Sequence, residues 1–209
     1  MITIVDYGMG NLKSVVKAFE HIGAEVAVTS DAETAYRAKA LVVPGQGAFD
    51  DCMEALTSKN LDSAIKDHIF EGKPYLGICI GHQILFETHE ESKKNTPGLG
   101  IYHGTVRKFP SDLKVPHMGW NQVEFSTDQC PLFKDIKDGE SFYFVHSYYT
   151  EPVEKRIVAA QTDYGFHFAS VLWDGAFMFS VQFHPEKSQN SGLKLLKNFY
   201  GLSQNKDLE

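Results

Sequence analysis

The residues of this chain that could do covalent chemistry gather around one cysteine. Cys79 lies in Pro74-Tyr75-Leu76-Gly77-Ile78-Cys79-Ile80-Gly81-His82-Gln83, an apolar run with a glycine two residues before the sulfur and another two after it. The pattern reads as strand, tight turn and helix with Cys79 at the apex: a nucleophile elbow with Cys in the place of Ser. Glycines belong there because strand and helix pass close together. A helix beginning behind the apex, with Gln83 to Glu87 as its helix-forming residues, aims unpaired N–H groups at the sulfur and favours a thiolate. Alone, Gly-x-Cys-x-Gly is equally a buried cysteine in a core strand. A nucleophile also needs a base and a group to orient it. His184-Pro185-Glu186 ends a strand-like run from Ala176 to Phe183. Residues two apart on an extended chain face one side, so the imidazole can relay a proton while the carboxylate fixes its tautomer. Alone, His184 reads as a surface histidine and Glu186 as a solvated charge. Pro44-Gly45-Gln46-Gly47 supplies a candidate oxyanion hole at Gln46 and Gly47, with the N–H of Ile80 as the second donor. Its competing reading is an ordinary Pro-Gly turn.

These groups must be carried to one place by the chain around them. Residues 1–5 read as a buried strand, and Leu12, Val15, Val16, Phe19 and Ile22 as one face of a helix that Gly23 terminates. Strands follow at Glu25 to Thr29 and Ala40 to Val43. Between and after them come helical stretches from about Asp31 to Arg37, Phe49 to Leu56 and Asn60 to Glu71. The strands are apolar throughout, which marks a parallel sheet covered on both faces. Ligands on such sheets sit at the carboxyl ends of the strands, where the loops 6–11, 44–48 and 79–81 fall. The second half reads as strands at Gly100 to Phe109, Val115 to Phe125, Phe142 to Thr150, Val158 to Thr162 and Phe168 to Trp173. An Asp174-Gly175 hairpin, the return strand and a closing helix from Gly192 to Tyr200 complete it. The expected fold is α/β: a flavodoxin-like three-layer αβα sandwich with a mostly parallel central sheet and an antiparallel β extension. One domain is expected over 1–209, since no linker or repeat interrupts the chain.

Composition narrows the function classes. The 209 residues are 43% hydrophobic and 22% charged, with a net charge of −7, which argues against nucleic acid as the main partner. No apolar run approaches the ~20 residues of a membrane span. The N-terminus enters a strand without a basic leader. Cys52, Cys79 and Cys130 form an odd, scattered set that fits free thiols in a reducing cytoplasm and lacks metal-site spacing. Gly8-Met9-Gly10 and Gly45-Gln46-Gly47 each begin like a dinucleotide fingerprint but carry Lys13 and Asp50 where its third glycine belongs.

Gly77-Ile78-Cys79-Ile80-Gly81-His82-Gln83 followed far along the chain by His184-Pro185-Glu186 resembles the class I, triad-type glutamine amidotransferases. Four further stretches are similar to the family of glutaminase subunits of imidazole glycerol phosphate synthases: Val5 to Val15, Val115 to Asn121, Phe144 to Tyr149 and Gln182 to Ser188. One departure is His82, where that subunit family more often has Met. The resemblance implies that Cys79 attacks the side-chain amide of glutamine and that ammonia leaves for a partner's active site. It implies that Gly47, Gln83, Glu91, Ser147 and Tyr148 contact glutamine. It also implies a heterodimer with a (β/α)8-barrel cyclase/synthase subunit of histidine biosynthesis, met by Asn11, Met118, Trp120, Tyr143 and Lys187. No cofactor and no metal are expected. The alternatives are an amidotransferase subunit of a related synthase, such as one for surface-sugar amidination, a stand-alone γ-glutamyl cysteine hydrolase, and a non-catalytic regulatory subunit.

Overall fold

The computed structural model describes residues 1–204; residues 205–209 of the expected domain lie outside the described residues. The first half alternates as expected: β1 (Ile2–Val5), α1 (Leu12–His21), β2 (Val26–Thr29), α2 (Ala32–Tyr36), β3 (Leu41–Gly45), α3 (Phe49–Ser58), α4 (Leu61–Phe70) and β4 (Tyr75–Cys79). Each element has a local cause. The Asp31 side chain accepts from Thr34 N and starts α2. Gly23, at φ +82°, lets the chain leave α1 in a left-handed turn. Val15, Ala18 and Phe19 recur along the buried side of α1.

After Cys79 the chain departs from the sequence reading. The helix is a single turn, α5 (Ile80–Gln83), and Phe86–His89 is a strand, β5. Gln83 to Glu87 has good helix formers, but β5 pairs in parallel with β6 (Tyr102–Lys108), Phe86 opposite Tyr102. The buried Phe86 and this long-range pairing override local propensity. The expected strand from Phe142 to Thr150 is also two strands. β7 (His117–Phe125) precedes β8 (Glu140–His146), and β9 (Tyr148–Pro152) follows a break at Ser147. β8 pairs with β7, whereas β9 pairs with β6. The chain ends with β10 (Val158–Asp163), β11 (His167–Trp173), β12 (Met178–Val181) and α6 (Gln189–Leu202). The turn between β11 and β12 is wider than a two-residue hairpin, since Trp173 pairs with Phe179. Asp174 accepts from the N–H groups of Ala176 and Met178 across it.

The main sheet path is β2-β1-β3-β4-β12-β11-β10-β7-β8. Its first five strands are parallel, the flavodoxin-like order with β12 in the fifth place. From β11 onward the path runs antiparallel, with β9, β6 and β5 branching from β11. Alternation along the strands divides the core into two faces. Ile2, Ile4, Val42, Leu76 and Ile78 pack with Phe19 of α1 and Leu195 and Phe199 of α6. Val5, Leu41, Val43 and Tyr75 pack with Ala35, Phe49, Cys52 and Ile65 of α2, α3 and α4. β2 is the edge and is only partly covered, leaving Val28 exposed. No described helix is long and apolar enough to cross a membrane.

Candidate active site

Cys79 is the last residue of β4 and takes φ +55°, ψ −102°. That backbone is strained for a residue with a side chain, and the sheet holds it there. β4 lies between β3 and β12, with Gly45 opposite Cys79 on one side and Val181 opposite Ile78 on the other. A Cβ on Gly77 would lie 2.6 Å from the carbonyl carbon of Gly81, so α5 folds back onto β4 only because Gly77 has no side chain. The buried Tyr75 hydroxyl donates to the same Gly81 carbonyl at 2.9 Å. With one turn of helix behind it, the sulfur faces too few aligned peptides for a macrodipole. Its electrostatic partner is instead a side chain.

That side chain is His184. The structure brings it and Glu186 to the carboxyl end of β12 as expected, but by a different local route. Pro185–Lys187 is a 3-10 turn rather than an extended strand end. The turn swings the carboxylate back, and His184 Nδ1 meets Glu186 Oε1 at 2.8 Å with both side chains 2% exposed. Nδ1–H donates and the carboxylate accepts, so the other nitrogen, Nε2, is the one left for another partner. Nε2 has no hydrogen-bond partner. Burial alone would pull the imidazole pKa down; the Cys79 sulfur and then Glu186 outweigh it and push it up to about 10. The turn is pinned from below: Ser188 Oγ donates to the His184 carbonyl at 2.7 Å and accepts from Tyr143 N at 2.9 Å.

A cleft of about 430 Å³ opens over the sulfur. Gln46, Gly47 and Ile80 line it beside Cys79, so the three oxyanion-hole candidates share one space. Gly47 has φ +120°, a conformation open to glycine. The loop after β1 supports this strand end, with Tyr7 Oη donating to the Pro44 carbonyl at 3.0 Å. Gln83, Glu91, Ser147 and Tyr148 line the same cleft. Gln83 is more committed than its sequence position suggests. Its amide nitrogen donates to the Tyr148 carbonyl at 3.1 Å and to Gln182 Oε1 at 3.0 Å. Glu91 Oε2 accepts from Phe49 N at 2.7 Å, which fixes the carboxylate at the start of α3. Ser147 and Tyr148 stand at the break between β8 and β9, which is why both reach the cleft.

Of the partner-surface candidates, Met118 and Trp120 on β7 are 61% and 49% exposed. The Trp120 ring meets Tyr143 at 6.2 Å, and Lys187 Nζ lies 6.0 Å from the Tyr143 ring centre. Tyr143 and Lys187 also line the cleft, so this aromatic surface borders the space over Cys79. Asn11 is exposed at the start of α1 and its side chain makes no capping bond. His82 points the other way, into the core. Its ring bridges Ser180 Oγ at 2.8 Å and Thr150 Oγ1 at 2.9 Å, and burial pushes its pKa down to about 3.

Two residues at the site were not singled out by sequence. Gln182 Nε2 lies 3.8 Å from Cys79 Sγ, and His89 Nε2 lies 3.0 Å from Gln83 Oε1. Gln182 stands two residues before His184, directly after the strand that delivers both, a placement that could have marked it. His89 carries no such signal.

A family model described as "Glutamine amidotransferase class-I" matches residues 3–201. Among curated proteins the chain is 48% identical over 206 residues to "Imidazole glycerol phosphate synthase subunit HisH" of Syntrophotalea carbinolica, covering 95% of this chain and 98% of that one. It is 50% identical over 209 residues to the protein of the same name from Aromatoleum aromaticum, covering 95% and 96%. A solved structure titled "Crystal structure of glutamine amidotransferase" superposes with a TM-score of 0.76 at 17% identity, covering 98% of this chain and all of that one.

Proposed function

The chain belongs to the class I glutamine amidotransferase family, and we propose that it is the glutaminase subunit of an imidazole glycerol phosphate synthase, acting as one domain over 1–209. The observation that carries this reading is the buried His184–Glu186 pair turned toward a cysteine at a strained strand end. Relatives nearly half identical over almost their whole length carry the synthase assignment.

The reaction follows from the placement of the groups. Glutamine enters the cleft with its α-ammonium toward Glu91 and its side-chain amide over Cys79. The thiolate attacks the amide carbon, and negative charge moves to the amide oxygen. That oxygen lies where N–H groups of Gly47 and Ile80 can stabilise it, with the peptide at Gln46 completing the cradle. His184 gives its Nε2 proton to the leaving nitrogen, the C–N bond breaks, and ammonia departs from a γ-glutamyl thioester. Water then attacks the thioester, His184 takes its proton, and the sulfur leaves as thiolate with glutamate released. Glu186 keeps the imidazole in the tautomer that both steps need.

Ammonia released to neutral water becomes ammonium, which is not nucleophilic. It therefore passes directly to a second subunit, a (β/α)8-barrel cyclase, docked over Met118, Trp120, Tyr143, Lys187 and Asn11. The setting is the cytoplasm, where three free thiols persist. The test measures imidazole glycerol phosphate formation by the barrel subunit supplied with glutamine, with and without this chain. Glutamine-dependent synthesis that needs the chain and vanishes with Cys79→Ser is expected, while ammonia-dependent synthesis by the barrel persists. Fast glutamate release by the isolated chain, unaltered by the barrel subunit, would overturn the subunit reading.

A further inference from the structure

Behind Cys79 runs a chain of hydrogen bonds whose direction is fixed at its far end and again midway. At the far end the backbone N–H of Glu91 donates to His89 Nδ1 at 3.0 Å. A backbone amide can only donate, so Nδ1 of the neutral ring is bare and the proton sits on Nε2. Burial keeps the ring neutral, against the pull of the Asp50 carboxylate, pushing its pKa down to about 4. The ring is clamped between Phe49, stacked at 4.3 Å, and Tyr148 at 4.9 Å. His89 Nε2–H therefore donates to Gln83 Oε1 at 3.0 Å.

The orientation of Gln83 is set twice. His89 requires its oxygen on one side. The Tyr148 carbonyl, which can only accept, requires its nitrogen on the other, at 3.1 Å. The second N–H of Gln83 goes to Gln182 Oε1 at 3.0 Å. Gln182 has then no choice of orientation: its oxygen faces Gln83 and its NH2 faces Cys79 Sγ at 3.8 Å. Gln182 is fully buried, so water does not compete for that N–H, and a buried donor left without an acceptor is costly.

We infer that Gln182 is a catalytic residue that donates a hydrogen bond to the Cys79 sulfur, and that His89 is the positioning residue that holds Gln182 in the donating orientation. The inference rests on Cys79 being the nucleophile. A donor aimed at sulfur favours thiolate over thiol. It acts where His184 does not, because His184 must release its proton to the leaving nitrogen while Gln182 keeps its own. The sulfur is thus held by one partner that exchanges a proton and one that never does.

The test is alkylation by iodoacetamide as a function of pH, read at Cys79 by peptide mass spectrometry. Gln182→Met removes the donor, and Gln182→Glu replaces it with an acceptor. At about pH 6 the Gln182→Met rate is expected to fall about tenfold below wild type and to rejoin it in alkali. Gln182→Glu is expected to fall further. His89→Phe, which leaves Gln182 in place and removes one of the two restraints on the Gln83 amide while the Tyr148 carbonyl keeps the other, is expected to change in the same direction by less. Cys52 and Cys130, both buried, gauge the fold and stay unlabelled in an intact variant. Profiles that superpose on wild type overturn the inference, as does opening of all three variants, which would make the chain of bonds a packing feature. Iodoacetamide needs no glutamine recognition. Superposed profiles with normal glutamate release would remove the role of Gln182 alone, whereas shifted profiles in variants of a wild-type chain that itself releases no glutamate would remove the glutaminase reading alone.

Discussion

Gly77→Ala is the substitution that most sharply separates the geometry of the elbow from its composition. The added Cβ would stand 2.6 Å from the carbonyl carbon of Gly81, closer still to its oxygen, and 3.0 Å from Tyr75 Oη. Carbon atoms pack at roughly 3.5 Å or more, so Gly81 must retreat by about 1 Å. The obstacle is backbone, not the end of a flexible side chain, and Tyr75 loses its bond to that carbonyl. The cost therefore falls at the upper end of overpacking, about 3 kcal/mol, or roughly 6–12 °C in Tm for a chain of this size. Because Ile80 and Cys79 ride on the displaced turn, kcat/KM for glutamine is expected to fall about a hundredfold. Gly201→Ala is the matched control. Near the end of α6, with nothing within 4 Å of the new Cβ, it is expected to leave activity intact and to raise stability by up to about 1 kcal/mol. Thermal melts followed by circular dichroism and a coupled glutamate assay read both quantities. If Gly77→Ala melts and turns over like wild type, α5 is not held against β4 as described.

Three further outcomes follow from other parts of the molecule. His82 has its folded pKa depressed to about 3 by burial, so its contribution is present above about pH 6.5 and is lost as pH falls toward about 3. His82→Met is therefore expected to flatten the loss of stability between pH 7 and pH 5 by about 2 kcal/mol in urea titrations at each pH; an unchanged slope would mean that His82 takes up its proton as readily in the fold as in the unfolded chain. Glu186→Gln keeps an acceptor for His184 but removes the charge, so turnover should fall about a hundredfold or more. Because the His184 pKa is raised, the alkaline limb of the kcat/KM profile should also move to lower pH; a profile fixed in place would deny Glu186 its part. If the proposed partner subunit docks over the exposed face of β7, Trp120→Ala and Met118→Ser should weaken its binding by about tenfold or more in titration calorimetry, with glutamate release by the isolated chain unaltered.

Much of this architecture was legible because it is local. Alternating apolar strands and helices identified the parallel half, and two glycines around Cys79 identified the elbow. The misreadings share a physical cause. Gln83 to Glu87 reads as helix because its residues are good helix formers, yet Phe86 pairs across to Tyr102. Phe142 to Thr150 reads as one strand because nothing in its pattern shows that its two halves pair with different neighbours, β7 and β6. The spacing of His184 and Glu186 pairs them, although a 3-10 turn rather than an extended chain brings them together. The bonds from His89 through Gln83 to Gln182 join segments far apart in sequence, and no periodicity announces such contacts.

The central claim is that Cys79, and no other thiol, forms the γ-glutamyl intermediate. It is tested most directly by treating the protein with a glutamine-mimicking electrophile and locating the adduct by peptide mass spectrometry. The expected result is one adduct, on Cys79, suppressed by excess glutamine and absent from Cys79→Ser. An adduct on Cys52 or Cys130, or labelling that glutamine does not suppress, would contradict the account.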